Sequence, residues 1–288
     1  MAFGDVLKRK GAVPGLPSPP FVPGYDVVGV VDALGEGVDT VEIGDRVGAF
    51  VGLGGYAELL RAPADLLIPI PAGVTDAQAV ASILNYGTAY QLLHRMGRAT
   101  RGQTILVPGA AGGIGTALLQ LAAQRGVDAV GIAAESSHAF VRSLGGDPIT
   151  PEALRLDTRL FDVVYDSTGG AAHVWRLRRS LKRGGRLVSF GMASAAGRDG
   201  KPRKSIYATT LATMGVIALL GTKVSLYLSE REFAKRRARF KQDVAEVLAL
   251  VASGNVRPVI AAELPLAQAA EAHRMLESGR TLGKVVLI

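Results

Sequence analysis

Short apolar runs and glycines alternate along the middle of the chain, a pattern typical of strands buried in a parallel sheet. Each run is four or five residues long, and stretches with apolar residues at helical spacing separate them. Strands that alternate with helices in this way predict a doubly wound α/β domain with a parallel sheet. We predict strands at 104–107, 128–132, 162–166 and 186–190, and helices at 113–125, 137–144 and 171–181.

The first part of the chain has a different pattern, with short β-type runs punctuated by glycine and proline. Three such runs lie at 25–32, 45–51 and 56–60, and they predict a small, irregular β-rich domain. Helical patterns follow at 76–84 and 90–96, the first with Thr75 or Asp76 as its cap.

The last part of the chain begins with one long helical pattern and returns to β-type runs. Ser229, with Glu232 three residues later, predicts a capping box for a helix that ends near Ala252. Strands are predicted at 258–261 and 284–288, and we expect this tail to rejoin the first domain. Residues 197–205 predict a loop, and residues 201–228 give no clear prediction. The expected domains are 1–85, 86–254 and 255–288.

Composition indicates a folded protein with few options for metal chemistry. Hydrophobic residues make up 48% of the 288 residues, enough for a large core. The chain has no cysteine, which excludes disulfides and thiolate zinc sites, and its four histidines show no ligand spacing. We therefore expect no metal site.

Net charge and hydropathy limit the partners. The net charge is +8, but the five basic residues within 235–241 are interpreted as a solvated helix face. The N-terminus has no signal-peptide pattern, and the longest apolar stretch, 211–220, is too short to span a bilayer. We expect a cytoplasmic protein without a membrane or nucleic-acid partner.

One glycine-rich segment carries the chemistry. Ala110-x-Gly112-x-x-Gly115 follows a predicted strand and opens a predicted helix, which is the setting of a dinucleotide fingerprint. Such a turn lets the backbone approach a pyrophosphate, and the helix N-terminus then offers its free N–H groups. The alternative is a tight turn without a ligand. The predicted cofactor-binding residues here are Ala110, Gly112, Gly113, Ile114 and Gly115.

The end of the second strand favours NADP(H) over NAD(H). Enzymes that use NAD place an acid there for the ribose hydroxyls, and this chain has Ile132. Ser136 and Ser137 are candidates to donate to a 2′-phosphate. Glu135 lies nearby as an alternative ribose ligand.

An ordered set of motifs resembles the zinc-independent quinone oxidoreductases of the medium-chain dehydrogenase/reductase superfamily, closest to the branch with the VAT-1 homologues. The resemblance covers nearly the whole chain. It implies a Rossmann domain and a GroES-like substrate domain. The matching segments are 23–26, 44–47, 55–58, 85–90, 102, 106–115, 161–166, 190–191 and 283–287.

The resemblance also implies hydride chemistry without zinc. Tyr25 stands where zinc-dependent relatives carry a histidine, and the stretch from Glu58 to Ile68 leaves no room for their four-cysteine lobe. Without a Lewis acid, alcohol oxidation lacks its usual stabiliser. The expected reaction is hydride transfer from NADPH to an acceptor that is already electrophilic, a quinone or an α,β-unsaturated carbonyl.

The resemblance implies further site residues, each with an alternative. Thr88 is expected near the nicotinamide, or is only a helix-interior residue. Lys284 is expected to reach the cofactor phosphates, or only flanks the final strand. Gly191 and Met192 are expected at the nicotinamide ribose. The candidate pocket residues are Asn85, Tyr86 and Tyr227, with solvent as an equal candidate for the proton donor.

Two departures from the family leave a second function open. Residues 3–7 match an internal family segment, so we expect the first strands of the substrate domain to be missing, which would expose sheet edges. Val13 stands where many relatives carry a tyrosine. The alternatives are therefore an NADPH-binding protein with little turnover and, more remotely, a binder of anionic surfaces. The family also implies a homodimer.

Overall fold

The computed structural model describes residues 1–154, 159–197 and 201–288. Within these ranges the chain forms three sheets and ten α-helices. The strands are β1 (Asp26–Val30), β2 (Arg46–Phe50), β3 (Ile68–Pro69), β4 (Thr104–Pro108), β5 (Asp128–Ile132), β6 (Gly146–Ile149), β7 (Phe161–Asp166), β8 (Leu181–Ser189), β9 (Lys223–Leu226), β10 (Ile260–Leu264) and β11 (Lys284–Leu287).

Two helices continue into short π-helical segments, Ser82–Tyr86 and Leu92–Gly97. In the described ranges, no helix combines the length and the apolar character needed to cross a membrane. The helices are α1 (Phe3–Arg9), α2 (Asp76–Ala81), α3 (Gly87–Gln91), α4 (Gly113–Arg125), α5 (His138–Ser143), α6 (Ala171–Arg178), α7 (Ser205–Leu219), α8 (Ser229–Lys235), α9 (Arg237–Ala252) and α10 (Ala269–Glu277).

The largest sheet is parallel throughout and confirms the predicted doubly wound architecture. Its six strands lie in the order β6-β5-β4-β7-β8-β9. The central strands are buried on both faces, as the continuous apolar runs predict. Leu106, Val164 and Leu187 are fully buried in its core.

The chain divides into two compact units. The sheet unit comprises Val6–Leu16 and Ala89–Leu228 and contains the parallel sheet. The terminal unit comprises Met1–Asp5, Pro17–Thr88 and Ser229–Ile288. The terminal unit holds the antiparallel sheet β1-β2-β3 and the parallel pair β10-β11.

The tail rejoins the first part of the chain, as predicted, but the chain returns to the terminal unit at Ser229 rather than at residue 255. Helices α8 and α9 belong to the terminal unit. The reason is aromatic packing: the rings of Phe233 and Phe240 lie 4.9 and 5.1 Å from the ring of Phe50 in β2. Such contacts bury large apolar areas and decide which unit a helix joins.

Helix boundaries match the predictions in part. Thr75 caps α2 in a capping box with Gln78, as predicted. The predicted long helix from Ser229 is wrong: it is interrupted at Arg236, whose φ of −141° lies outside the helical region. Ser229 donates to Glu230 rather than forming the predicted box with Glu232. No glycine or proline marks this interruption in the sequence.

Other predictions at element level were wrong. Residues 56–60 form no strand; residues 57–60 are exposed, and Leu59 is 77% exposed. The helix predicted to run to residue 181 ends at Arg178, and Leu181 already belongs to β8. The sequence patterns missed α1, β3, β6, α7, β9 and α10. Of the predicted loop at 197–205, residues 198–200 lie outside the described residues.

Candidate functional site

The turn after β4 presents an uncapped helix N-terminus. Gly109 turns the chain off the strand with a φ of +66°, a conformation that favours glycine. Gly112 is the N-cap of α4 and has no side chain to bond the first N–H groups of the helix. Those N–H groups have no partner within the helix. They are suited to hold an anion such as a pyrophosphate.

The last glycine of the fingerprint lets α4 approach the strand closely. A Cβ at Gly115 would lie 2.2 Å from the carbonyl oxygen of Gly109 and 2.7 Å from the Cα of Ala110. No larger residue fits there without moving the backbone. This glycine therefore serves the turn itself, whereas Gly112 has open space around its missing side chain: a Cβ there meets only the Gly109 oxygen, at 3.4 Å.

The alanine at the first fingerprint position is accommodated by a glycine on the next strand. Ala110 is fully buried, and its N–H donates to the carbonyl oxygen of Ile132 at 3.1 Å. A Cβ at Gly131 in β5 would lie 2.7 Å from the Ala110 methyl group. Sequence reasoning missed Gly131, although its place in a buried strand, where glycine is unusual, was a signal.

Three segments with predicted site residues lie at the carboxyl edge of the parallel sheet. The fingerprint turn follows β4, the turn Glu135–Ser137 follows β5, and Gly191–Met192 follows β8. Because these strands are parallel, their carboxyl ends share one edge, where open α/β sheets bind ligands. Glu135 and Ser136 are both exposed in the same turn. The acid is therefore as well placed to bind ribose hydroxyls as the serine is to bind a 2′-phosphate.

A hydrogen-bonded loop supports the Gly191 segment. Asp166, fully buried at the end of β7, accepts from the N–H groups of Thr168 and Gly169 and from the hydroxyl of Ser189 at 2.9–3.0 Å. A Cβ at Gly191 would lie 2.6 Å from the Ser167 carbonyl oxygen, so this position requires glycine. Sequence reasoning missed Asp166; its signal was an acid at the end of an apolar strand.

Met192 faces the core of the sheet unit. Its buried side chain packs in a cluster with Leu7, Ala12 and Ala195, and Val13 packs partly buried against the same cluster. Only the backbone of Met192 remains for the predicted contact with a ribose.

Asn85, Tyr86 and Thr88 lie on consecutive helical segments of the terminal unit and are buried. The Tyr86 hydroxyl donates to the Arg257 carbonyl oxygen and accepts from the Val259 N–H, at 3.4 and 3.3 Å. The Thr88 hydroxyl has no hydrogen-bond partner among the described residues. A buried hydroxyl without a partner is costly, so Thr88 fits a group supplied by a ligand.

Tyr227 is occupied by an internal hydrogen bond. It is buried in the sheet unit, and its hydroxyl donates to Gln91 Oε1 at 2.8 Å. This contact favours packing over proton donation as its role.

Lys284 is buried in an ion pair of the terminal unit. Its Nζ lies 2.6 Å from Asp26 Oδ2 and donates to the Val80 carbonyl oxygen at 3.0 Å. Asp26 Oδ2 also accepts from the Leu84 N–H. This geometry favours the structural alternative for Lys284 over contact with cofactor phosphates.

Among residues 1–154, 159–197 and 201–288, no three His, Cys, Asp or Glu side chains form a group that could hold a metal ion. The donor set of the whole sequence contains no cysteine.

Two family models match the chain. A zinc-binding dehydrogenase domain matches residues 147–287, and an alcohol dehydrogenase GroES-like domain matches residues 2–72.

Similar proteins include enzymes and a vesicle protein. The chain is 33% identical to a phenolphthiocerol/phthiocerol polyketide synthase protein of Mycobacterium tuberculosis over 99% of its own length, but it spans only 13% of that relative. It is 30% identical to the synaptic vesicle membrane protein VAT-1 homolog of Rattus norvegicus, covering 99% of the chain and 74% of the relative. The structure of Escherichia coli quinone oxidoreductase complexed with NADPH superposes with a TM-score of 0.86, at 28% identity, over 100% of this chain and 88% of that one.

Proposed function

Because the chain belongs to the medium-chain dehydrogenase/reductase superfamily, in its VAT-1 and quinone oxidoreductase-like branch, we propose that it is an NADPH-dependent oxidoreductase that reduces a quinone or an α,β-unsaturated carbonyl. The observation that carries the proposal is the uncapped N-terminus of α4 behind the Ala110–Gly115 turn. The NADPH in the similar Escherichia coli structure supports the choice of cofactor.

The residues of the chain would bind and orient the cofactor. The first N–H groups of α4 would hold the pyrophosphate, and Ser136 with Ser137 would donate to a 2′-phosphate. The loop fixed by Asp166 would hold the Gly191 backbone in place for the nicotinamide ribose. NADPH, when bound, supplies the hydride, and the protein contributes orientation rather than an acid–base pair.

We propose further that the reaction needs no zinc. The support is the donor set: the chain has no cysteine, and Tyr25 occupies the position of a histidine ligand. The Tyr25 ring packs on Phe50, with ring centroids 6.0 Å apart. Quinones and enones are electrophilic enough to accept hydride without a Lewis acid.

The test is the rate of NADPH loss with an ortho-quinone, measured beside NADH and in the presence of a zinc chelator. We expect rapid, chelator-resistant loss of NADPH and slower loss of NADH. Failure of NADPH to bind, measured as no protection against thermal unfolding, would contradict the proposal.

A second function, an NADPH-binding protein with little turnover, is favoured by one observation. The hydroxyl groups of Tyr86 and Tyr227, two of the three pocket candidates, are engaged in internal hydrogen bonds. Binding of NADPH without turnover of any quinone or enone would support this second function over the first.

We also propose that the chain forms a homodimer through the β9 side of the sheet unit. Strand β9 pairs with β8 only, so one edge of the sheet is open. Helix α7, which precedes β9, lies in a stretch without charge from Ser205 to Thr222, and it exposes Leu211 and Val216. An open edge beside an uncharged helix suits a self-complementary interface.

A further inference from the structure

The first strand of the terminal unit has a side that no other strand occupies. Within the described ranges, β1 pairs with β2 alone and forms an edge of the sheet β1-β2-β3. Val31, directly after β1, donates its N–H to the carbonyl oxygen of Asp45, directly before β2, at 3.0 Å. In an antiparallel pair every second residue bonds the neighbouring strand in this way. Val28 and Val30 therefore turn their backbone N–H and C=O groups to the free side of β1.

The usual protections of an edge strand are missing from β1. The strand has the sequence DVVGV, without lysine or proline, and its pairing with β2 runs without a bulge. Backbone N–H groups of residues 54–56 bond the chain just before the strand, at residues 22–24. Among the described residues, no backbone hydrogen bond from this segment reaches Val28 or Val30. This part of the edge can therefore accept a further strand.

The charge beside this edge is opposite in sign to that of the whole chain. Residues 26–45 contain six acids and no lysine, arginine or histidine, although the net charge of the chain is +8. Asp26 is buried in its pair with Lys284. The other five acids are exposed and have no ion pair among the described residues; they are Asp32, Glu36, Asp39, Glu42 and Asp45. Carboxylates grouped in this way repel one another and favour a cationic partner.

The chain itself supplies no nearby cation to these acids. The first base after them in sequence, Arg46, is bonded to the carboxylate of Asp76 and to the carbonyl oxygen of Val74. The only hydrogen bond printed by the geometry of the loop to one of the five carboxylates comes from the backbone: Asp45 accepts from the Glu42 N–H at 2.8 Å. The side-chain charge of Glu42 stays exposed. Neutralisation of the loop is therefore left to a partner.

Exposed apolar side chains lie among these acids. Val30, at the end of β1, is 62% exposed, and Ile43 is 67% exposed. Their segments are joined by a backbone hydrogen bond, since Gly44 donates its N–H to the Val31 carbonyl oxygen at 2.9 Å. Leu34 in the same loop is exposed as well. This composition suits a partner that brings both apolar and basic side chains.

We propose that the free side of β1 binds a basic, extended segment of another polypeptide, which joins the sheet as a further strand. We call this surface, residues 28–45, the acidic edge. The backbone groups of Val28 and Val30 form the new ladder, and main-chain bonds of this kind supply the affinity in strand addition. Apolar side chains of the segment contact Val30 and Ile43, and its Lys or Arg residues meet the acids of the loop.

Other occupants fit the acidic edge less well. Nucleic acid and anionic lipid carry the same sign of charge as the loop, which repels both. A second copy of this chain would bring a second set of the same acids to the interface. The dimer proposed above uses β9 of the sheet unit, and the NADPH site uses the fingerprint turn of that unit. Strand addition at β1 is therefore independent of both proposals.

The test uses the full chain and a short synthetic peptide in which valine alternates with lysine and threonine. Calorimetry measures binding, and NMR measures hydrogen exchange of the Val28 and Val30 amides. We expect binding that weakens with added salt and slower exchange at both residues, because a ladder protects the amide hydrogens that it uses. Two control peptides should bind far more weakly: one with glutamate in place of lysine, and one with methylated backbone nitrogens, which keeps the charge but cannot donate to the ladder.

Matched variants separate the acidic edge from attraction by any exposed acid. Glu36→Gln with Glu42→Gln removes two charges from the loop, and Asp147→Asn with Glu152→Gln removes two exposed charges from the sheet unit. We expect the first pair to weaken binding of the basic peptide about tenfold at low salt, about threefold for each charge, and the second pair to change it little. Ile43→Ser keeps the charge and should also weaken binding.

Three results would overturn the proposal. One is the absence of binding by the basic peptide, or binding that leaves the exchange of Val28 and Val30 unchanged. Another is equal binding of the methylated peptide or equal weakening by the two charge pairs, either of which would indicate attraction by charge without strand addition. The third is exchange at Val28 and Val30 that slows as the chain alone is concentrated, which would assign the edge to a second copy. An unchanged midpoint of thermal unfolding checks that each variant is folded.

Discussion

At the scale of single residues, the glycines after β4 differ in what their missing side chains leave room for. At Gly115 the room is taken by the protein's own backbone, and at Gly112 it is open. Where the fold leaves room for a Cβ, as at Gly112, the glycine indicates that a bound ligand uses this space. The two positions therefore separate binding from folding.

Gly112→Ala should weaken NADPH binding by about tenfold or more, on the order of 1.4 kcal/mol, with little change in thermal stability. The added methyl group meets only one protein atom, at 3.4 Å, but it obstructs the approach of a pyrophosphate. Gly115→Ala is the control: its methyl group meets backbone at 2.2 Å and should lower stability by about 1–3 kcal/mol. Calorimetry and thermal unfolding measure both effects. An unchanged affinity in Gly112→Ala would show that the turn holds no cofactor.

Residue roles were predictable from sequence where the backbone alone imposes them. The fingerprint glycines are of this kind, because a sharp turn and a close helix leave few residue choices. The surroundings of Lys284 and Tyr227 were not predictable, since their partners Asp26 and Gln91 are 258 and 136 residues away in sequence. The sequence shows the chemistry of a side chain but not its hydrogen-bond or ion-pair partner.

At the scale of elements, β9 and α7 form an open side of the sheet unit. The strand has one free edge, and the outer face of the helix exposes Leu211 and Val216, each 49% exposed. A monomer would leave this surface in contact with water.

Leu211→Glu with Val216→Glu should convert a dimer into a monomer, because two carboxylates on each chain would face their own copies across a two-fold axis. Sedimentation velocity at micromolar concentration measures the change. Leu59→Glu, an exposed leucine of the terminal unit, is the control and should leave the dimer intact. A wild-type chain that is already monomeric would refute the proposed interface.

Elements were predictable where both faces of a strand are buried, because an unbroken apolar run then has only one common explanation. This holds for β4, β5 and β7. Prediction failed for α7, in which apolar residues occur on every face, so that no periodic stripe marks the helix. It also failed at 56–60, where a β-type run forms no strand.

At the scale of the whole molecule, the terminal unit depends on a contact between distant parts of the chain. The buried pair Lys284–Asp26 joins β11 to β1. Removing one partner of such a pair leaves an uncompensated buried charge, which costs far more than the pair itself contributes.

Lys284→Met should reduce the free energy of unfolding by about 3–5 kcal/mol. Adding Asp26→Leu to it should restore much of the loss, since the stranded charge is then removed. Arg274→Met breaks the exposed pair with Glu271 and should cost about 0.2–1 kcal/mol. Urea unfolding measures all three. Equal losses at the buried and exposed pairs would contradict this account.

The division of the chain also sets an order of assembly as the protein is made on the ribosome. Most of the sheet unit is one continuous segment, Ala89–Leu228, and its contacts can form as soon as that segment has emerged. The terminal unit uses the first and the last parts of the chain, and β10 has no strand partner until β11 has been synthesised. β1 can pair with β2 early, but its carboxylate Asp26 stays without its ion-pair partner until Lys284 has been synthesised. Molecular chaperones would meet the terminal unit in this incomplete form.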